Sequence, residues 1–371
     1  MKIAIQAADL DHNRIDGTRV YILNMLRHFG KISTNDDFFI YHRRDFNPEL
    51  TPPNLSNYKI KKINFPFFWT QTRFACGVLK DNPDILWMPM HNLPVVRRGK
   101  LKTVVTVHDL AYKYFPEYFP KKDLRELNLL GDYAIRNAKK LIAVSESTKK
   151  DILKFYPKVK DENIKVIHHG FDAGIYSSVR DETKENKVKK SLGINGGYIL
   201  YSGAIQPRKN LEVLIEAFEL YKKKSNSDIK LVLAGGNAWL WEDVVKKARN
   251  SRFRRDIIMP GKLKFSDLGH LMRGADVYTF PSLYEGFGIT ILEALASGVP
   301  VISASNSSLP EVGGDAVEYF QDNNQEVLAK KIESVLLDKD LKSEMVAKGI
   351  EQIQKFSWEK CAQETLRWIK D

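Results

Sequence analysis

The sequence predicts an α/β protein of two doubly wound parallel-sheet domains, and three observations predict it. Its 371 residues exceed the ~250–300 at which a single hydrophobic core tends to stop growing. Short β-branched runs alternate with longer segments of helical apolar period, the pattern of a parallel sheet covered on both faces. That alternation stops at a polar stretch and then restarts, which divides the chain in two.

In the first half the strand runs are KIAIQ, DDFFIYH, ILWMP, KTVVTVHD, KLIAVS and NIKVIHH. The stretch SSVRDETKENKVKKSLGINGG, residues 177–197, mixes charges and glycines and has little to bury, as expected of a linker followed by a surface segment. YILYSG, IKLVLAGG, RDIIMPG, DVYTFPS and VPVISA then follow, each ending in small or turn-forming residues and leading into a helical segment such as NLEVLIEAFELYKKK. The tail FSWEKCAQETLRWIKD opens with a Ser357 N-cap, has Glu359 close behind and shows apolar residues at helical spacing, so it predicts a final helix. The expected domains are 1–176 and 177–356.

Composition bounds the function. With 43% hydrophobic and 28% charged residues the content is globular, and no apolar run approaches the ~18 residues of a membrane span. The opening MKIAIQAADLDHNR meets Asp9 and Asp11 where an export signal needs a longer apolar region, so a first strand and a cytoplasmic location are expected. Cys76 and Cys361 lack metal-ligand spacing and are expected to be reduced packing residues. Residues 1–170 carry 29 Lys and Arg against 18 Asp and Glu, whereas the remainder carries 29 against 28. Such a basic half suits nucleic acid, an anionic membrane surface or phosphorylated substrates, and equally a solvated surface with no partner.

Open parallel sheets bind ligands beyond the carboxyl ends of their strands. After YILYSG comes AIQPRKN, where Arg208 and Lys209 stand before a helix expected to be capped by Asn210, a pairing that suits a diphosphate or is simply a basic loop. After VYTFPS comes LYEGFGIT, where Gly286 and Gly288 let the backbone approach a ligand. Glu285 lies in that turn and Glu293, seven intervening residues later, in the helix that follows. These carboxylates could accept hydrogen bonds from sugar hydroxyls and a ribose diol. A phosphate near both requires cations, which Arg208 and Lys209 supply if the two loops converge.

In type and order these residues resemble the retaining glycosyltransferases of family 4. The matching motifs are ILYSGAIQPRKNLEVLIEAF, LVLAGG, MPGKL, ADVYTFPSLYEGFGITILEALASGVPVISASNSSLPEVGGDA and FSWEK, with TVVTVHDLAYKYFPEYFP, AVSESTKKDI and VIHHGFD in the first half. The resemblance implies the GT-B architecture of two Rossmann-like domains facing a cleft, with the last helix, 357–371, crossing back to an acceptor-binding first domain. It implies that Glu285 contacts the donor sugar, that Glu293 holds the nucleotide ribose and that Arg208 and Lys209 neutralise the diphosphate. It places the backbone of Phe287, Gly288 and Ile289, with Thr290, at the sugar and phosphate, and Lys262 and Leu263 against the base. His108 matches the family's cleft histidine, and a structural histidine fits the same position. Where many relatives carry a multi-glycine loop after the first strand, this chain has DLDHNRIDGTRVYILNML with Gly17 alone, which leaves the backbone there to approach the donor phosphate.

The implied donor is a nucleotide-diphosphate sugar, GDP-mannose by likeness to polysaccharide-building mannosyltransferases, and the implied acceptor a saccharide or lipid-linked molecule. A UDP-hexose donor is the alternative; a sugar-nucleotide epimerase, a phosphorylase, a binding subunit without activity or a nucleic-acid-binding protein are alternatives of other classes. No DxD-type metal pair stands in a suitable loop, so neither a metal nor a cofactor is expected, and neither is nucleic acid, since no zinc-finger, RRM or basic-helix pattern appears. Aromatics interleaved with cations, Phe67, Phe68 and Trp69 beside Arg73 and Tyr118 and Phe119 beside Lys121, Lys122 and Arg125, predict weak, salt-reversible association with the inner face of an anionic membrane, or else core packing.

Overall fold

In the computed structural model, which describes residues 1–225, 227–321 and 323–371, the chain forms two compact units. The first comprises Met1–Tyr114, Lys121–Gly170 and Ser357–Asp371, and the second Phe115–Pro120 and Phe171–Phe356.

The first unit is built on seven parallel strands: β1 (Lys2–Gln6), β2 (Asp37–His42), β3 (Tyr58–Lys62), β4 (Ile85–Met88), β5 (Lys102–Val107), β6 (Lys140–Ala143) and β7 (Ile164–Val166), in the order β3-β2-β1-β4-β5-β6-β7. The second has six: β8 (Tyr198–Ser202), β9 (Lys230–Ala234), β10 (Ile257–Gly261), β11 (Val277–Phe280), β12 (Val301–Ala304) and β13 (Val317–Phe320), in the order β10-β9-β8-β11-β12-β13. Central strands such as β1 and β8 bury successive residues on both faces, because helices cover both sides of each sheet. All strand runs expected from the sequence form. Two further edge strands were not expected: β3 reads YKIKK, a lysine-guarded edge that resists pairing with other chains, and β13, VEYF, is only four residues long.

The segment expected to be a linker contains a helix, Glu182–Ser191, capped by Asp181, whose side chain accepts from the Lys184 N–H at 3.1 Å. Its Glu185 is buried and pairs with Arg180 at 2.5 Å and Arg273 at 3.7 Å. The boundary expected at 176 falls at Gly170, because Ile175 and Tyr176 pack in the second unit: Arg273 Nη1 donates to Ile175 O at 2.7 Å, and Tyr176 is buried.

The terminal helix, Trp358–Lys370, starts at Ser357, whose Oγ accepts from the Lys360 N–H at 3.1 Å. It docks on the first unit, with Cys361 Sγ 3.9 Å from Met25 Sδ and Trp368 Nε1 donating to Leu141 O at 3.1 Å. Lys140 Nζ donates to Trp368 O at 3.0 Å and lies over its indole, so the helix end is fixed by both a charge-assisted bond and a cation–π contact. Cys361 is thus a packing residue, whereas Cys76, expected to be one too, is exposed on the helix Ala75–Asp81.

At Gly170 the chain passes so close to the start of this helix that a Cβ would overlap the backbone of Ser357 and Trp358. Gly170→Ala should therefore destabilise the first unit by about 1–3 kcal/mol, the usual penalty of overpacking against atoms that cannot yield. Thermal unfolding checks this, and an unchanged midpoint would contradict the close docking.

Candidate active site

In the second sheet the strand order reverses between β8 and β11, so the loops after these two strands open side by side, where doubly wound sheets bind ligands. The loop after β8 carries Arg208 and Lys209 in a short 3-10 turn, Pro207–Lys209; the loop after β11 carries Glu285. The two loops do converge. Lys209 Nζ lies 2.5 Å from Glu285 Oε1 and Arg208 Nη1 3.5 Å from Oε2, while the backbone of Arg208 accepts from Leu283 N at 2.9 Å and Ser282 Oγ at 3.2 Å. Arg208 also donates to Tyr284 O, and Lys209 Nζ sits 5.1 Å from the centre of the Phe280 ring. Asn210, expected as a helix cap, adopts a left-handed conformation (φ 54°) and its side chain bonds Asn323 at 3.0 Å.

Burial alone would push the Glu285 carboxyl upward, but the charges of Lys209 and Arg208 outweigh it and hold the group below its ordinary value. Glu285 is therefore ionised at neutral pH although only 9% exposed. Its turn is braced by serines and an asparagine that sequence reasoning did not single out. Ser307 Oγ accepts from the Glu285 N–H at 2.9 Å, Ser308 Oγ donates to the carbonyls of Glu285 and Phe287 at 2.9 Å each, and Asn306 Nδ2 donates to Ser282 O at 2.9 Å. The signal was available: SNSS follows β12, the strand beside β11, and serine and asparagine favour bonding to nearby backbone.

Gly288 stands at φ 100°, open to glycine, and begins the helix Ile289–Ala296. Phe287 is buried against Phe356, with ring centres 5.9 Å apart, and Ile289 and Thr290 form the first turn. One turn on, Glu293 is enclosed near Tyr176 and Asp172. Burial raises its carboxyl to about 8, the Tyr176 hydroxyl partly opposing this and the Asp172 charge adding to it. Glu293 is thus neutral at pH 7, unlike Glu285. Lys262 and Leu263 follow β10, whose terminal Gly261 accepts from the Gly235 N–H at 3.0 Å.

The remaining two candidates belong to the first unit. His108 follows β5, and its Nε2 donates to Pro89 O at 2.8 Å, the residue after β4. Burial lowers its pKa to about 4, so the ring is neutral with Nδ1 as acceptor. Tyr21 meets it edge-on at 5.1 Å, and His169, which sequence reasoning did not single out, lies 5.6 Å away. Gly17 is the exposed first residue of the helix Gly17–Ile32, capped by Asp16. The loop before it holds its shape through Asp11, whose Oδ2 accepts from the Arg43 and Arg44 N–H groups at 2.7 and 2.6 Å. Among the described residues no cluster of His, Cys, Asp or Glu could hold a metal, and no helix is long and apolar enough to cross a membrane.

A family model described as Glycosyltransferase Family 4 matches residues 15–174, and one described as Glycosyl transferases group 1 matches residues 182–352. The O-antigen chain mannosyltransferase B of Escherichia coli is 30% identical over 273 residues, covering 72% of this chain and 70% of that one. The chain belongs to the family 4 glycosyltransferases. Another similar protein, the serotype-specific mannosyltransferase WbdA of Escherichia coli, is 28% identical over 73% of this family 4 chain, which spans 33% of its length. The crystal structure of Anabaena Alr3699/HepE in complex with UDP-glucose matches with a TM-score of 0.76 over 99% of both chains at 18% identity, a likeness of fold, and that fold is GT-B.

The two acidic positions of this glycosyltransferase should separate by pH. A carboxyl raised from 4.5 to about 8 on folding contributes stability that is complete below 4.5 and lost as pH rises to about 8. Wild type should accordingly lose stability relative to Glu293→Gln across that window and run parallel to it above. Denaturation of both proteins from pH 4 to 9 measures this, and a constant difference would show that Glu293 titrates alike in the folded and unfolded states.

Proposed function

We propose that the protein transfers mannose from GDP-mannose, with retention of configuration, to a saccharide or lipid-linked acceptor in polysaccharide or glycolipid synthesis. The observation that carries the reading is the union of Arg208, Lys209 and Glu285 where the loops after β8 and β11 meet. Cleaving the anomeric bond develops negative charge on the departing diphosphate and positive charge on the sugar. Arg208 and Lys209 neutralise the former, with the helix beginning at Ile289 presenting its N–H groups, so no metal ion is needed. Glu285, kept ionised by the same cations, accepts hydrogen bonds from the sugar; Glu293, being neutral, can donate as well as accept at the ribose. His108 offers Nδ1 to a sugar hydroxyl. The leaving phosphate takes the acceptor proton as the new bond forms on the same face.

The E. coli relatives named as mannosyltransferases support mannose. Transfer from a UDP-hexose is the second reading, supported by the UDP-glucose complex of the similar HepE structure. Family membership leaves the epimerase, phosphorylase and nucleic-acid readings without an observation in their favour. The basic first half supports action at the inner, anionic face of a membrane.

A ligand that binds only the folded state raises its stability with ln(1 + [L]/Kd). In a panel of GDP-, UDP-, ADP- and CMP-sugars run with EDTA, GDP-mannose should give the largest melting shift. Arg208→Ala with Lys209→Ala should abolish it, each lost charge-assisted contact costing about 1.5–3 kcal/mol. A UDP-sugar giving the largest shift would replace the donor, and a shift seen only with added Mg²⁺ or Mn²⁺ would overturn the neutralisation by side chains.

A further inference from the structure

Three segments singled out in the sequence have no part in the donor chemistry: DLDHNRIDGTRVYILNML after β1, VIHHGFD at the end of β7 and FSWEK at the start of the terminal helix. Each contributes one ring to a single packed column in the first unit. Tyr21, on the helix Gly17–Ile32, stacks on His169 with ring centres 4.8 Å and planes 29° apart. Trp358, the first residue of the terminal helix, backs both, 5.5 Å from His169 and 6.2 Å from Tyr21. The column ends on His108, which Tyr21 meets edge-on at 5.1 Å and which His169 approaches to 5.6 Å.

Both ends of the column are anchored. Tyr21 Oη lies 3.3 Å from Thr106 Oγ1, which also accepts from Trp87 Nε1 at 3.1 Å, so Tyr21 is tied to β5 two residues before His108. At the other end His169 is followed by Gly170, which lacks the Cβ that would overlap the backbone of Ser357 and Trp358. His108 itself has one hydrogen bond among the described residues, from Nε2 to Pro89 O at 2.8 Å. A single bond leaves an imidazole free to rock about it, and the rings of Tyr21 and His169 remove that freedom.

Exposure divides the four rings by role. Tyr21, His169 and Trp358 are 1%, 3% and 5% exposed, whereas His108 keeps part of its surface open. Of the four, His108 alone can touch a ligand, and the others act on one only through it. We propose that Tyr21, His169 and Trp358 are positioning residues for His108, the ring column carrying the docking of the terminal helix to the end of β5 and aiming Nδ1 at the transferred sugar. The inference rests on the reading of His108 as a sugar contact. A site group has to be held within about 10–20° of its productive direction by the packing around it. A misplacement of about 1 Å costs on the order of a hundredfold in rate.

His169→Leu removes the ring at the centre of the column while keeping apolar bulk there, and His169→Phe restores a ring. Release of GDP from GDP-mannose, with water as the acceptor, reads turnover. Histidine nitrogen–proton correlation spectra at pH 7, with His108 assigned by His108→Ala, read the ring itself. In wild type His108 should be a single tautomer protonated on Nε2, because the Pro89 carbonyl can only accept. His169→Leu should give a mixture of the two tautomers and lower kcat at least about tenfold with KM for GDP-mannose unchanged. His169→Phe should restore both. Trp358→Leu, which breaks the column at its helix end, should act as His169→Leu does and stands in for it should that variant not fold. In the His108→Ala background neither substitution should cost anything further, because residues that act as one unit are not additive. A loss of turnover of equal size in both backgrounds would overturn the inference alone, leaving the role of His108 in place. Full turnover by His108→Ala would overturn that role and the inference with it. If wild type does not turn over GDP-mannose, the spectra decide: a His108 signal that His169→Leu and Trp358→Leu leave unchanged would overturn the inference whatever the donor.

Discussion

Two cations and one carboxylate are held together, almost fully buried, where the loops after β8 and β11 meet, and this ion-paired cluster ties the two loops to each other. A buried ion whose partner is removed is left uncompensated at a cost of about 3–5 kcal/mol, so neither loop can move independently of the other. Glu285 is a counter-ion of both Lys209 and Arg208. In the proposed function these two cations face the diphosphate of the donor. The same charges that fix the loops keep Glu285 ionised despite its burial.

The rest of the second unit serves this arrangement. The sheet supplies the position, since reversal of strand order separates the loops from any covering helix. The loop after β12 supplies rigidity, because Asn306, Ser307 and Ser308 satisfy the backbone of the Glu285 turn with directional bonds that a mobile loop would leave to water. Glu293 marks the contrast: one helical turn beyond Gly288, with no ion pair to a cation among the described residues, the same residue type is pushed toward neutrality by burial. Two carboxyl groups in one short segment therefore present different hydrogen-bonding capacities at the same pH.

Much of this was legible in the sequence, because the signals were local and dense. Apolar strand runs alternating with helical segments predicted every central strand, and the Arg208, Lys209 and Glu285 motifs placed three charged residues in the loops after strands. What stayed hidden was set by tertiary context. β3 is a strand only because β2 offers it a partner, its own lysines arguing otherwise. The helix Glu182–Ser191 looked like solvated linker because, of its two buried side chains, Val188 gives no periodic signal alone and Glu185 is charged and needs Arg273, far along the chain, to be buried. Likewise, FPFFW gives no means of telling that Trp69 turns inward while Phe67 and Phe68 do not. That depends on the left-handed turn at Phe68.

The account stands on Arg208 and Lys209 being held for a diphosphate, with Glu285 occupying them in its absence. Calorimetric titration of GDP into wild type and Glu285→Gln addresses this most directly, because the substitution removes the competing charge while keeping the side chain's shape. The account predicts that Glu285→Gln binds GDP several-fold more tightly, as expected when about 1 kcal/mol of competition is removed, while sugar transfer is lost. If GDP binding weakened in parallel with transfer, Glu285 would be holding the nucleotide itself and the division of roles between cations and carboxylate would be wrong.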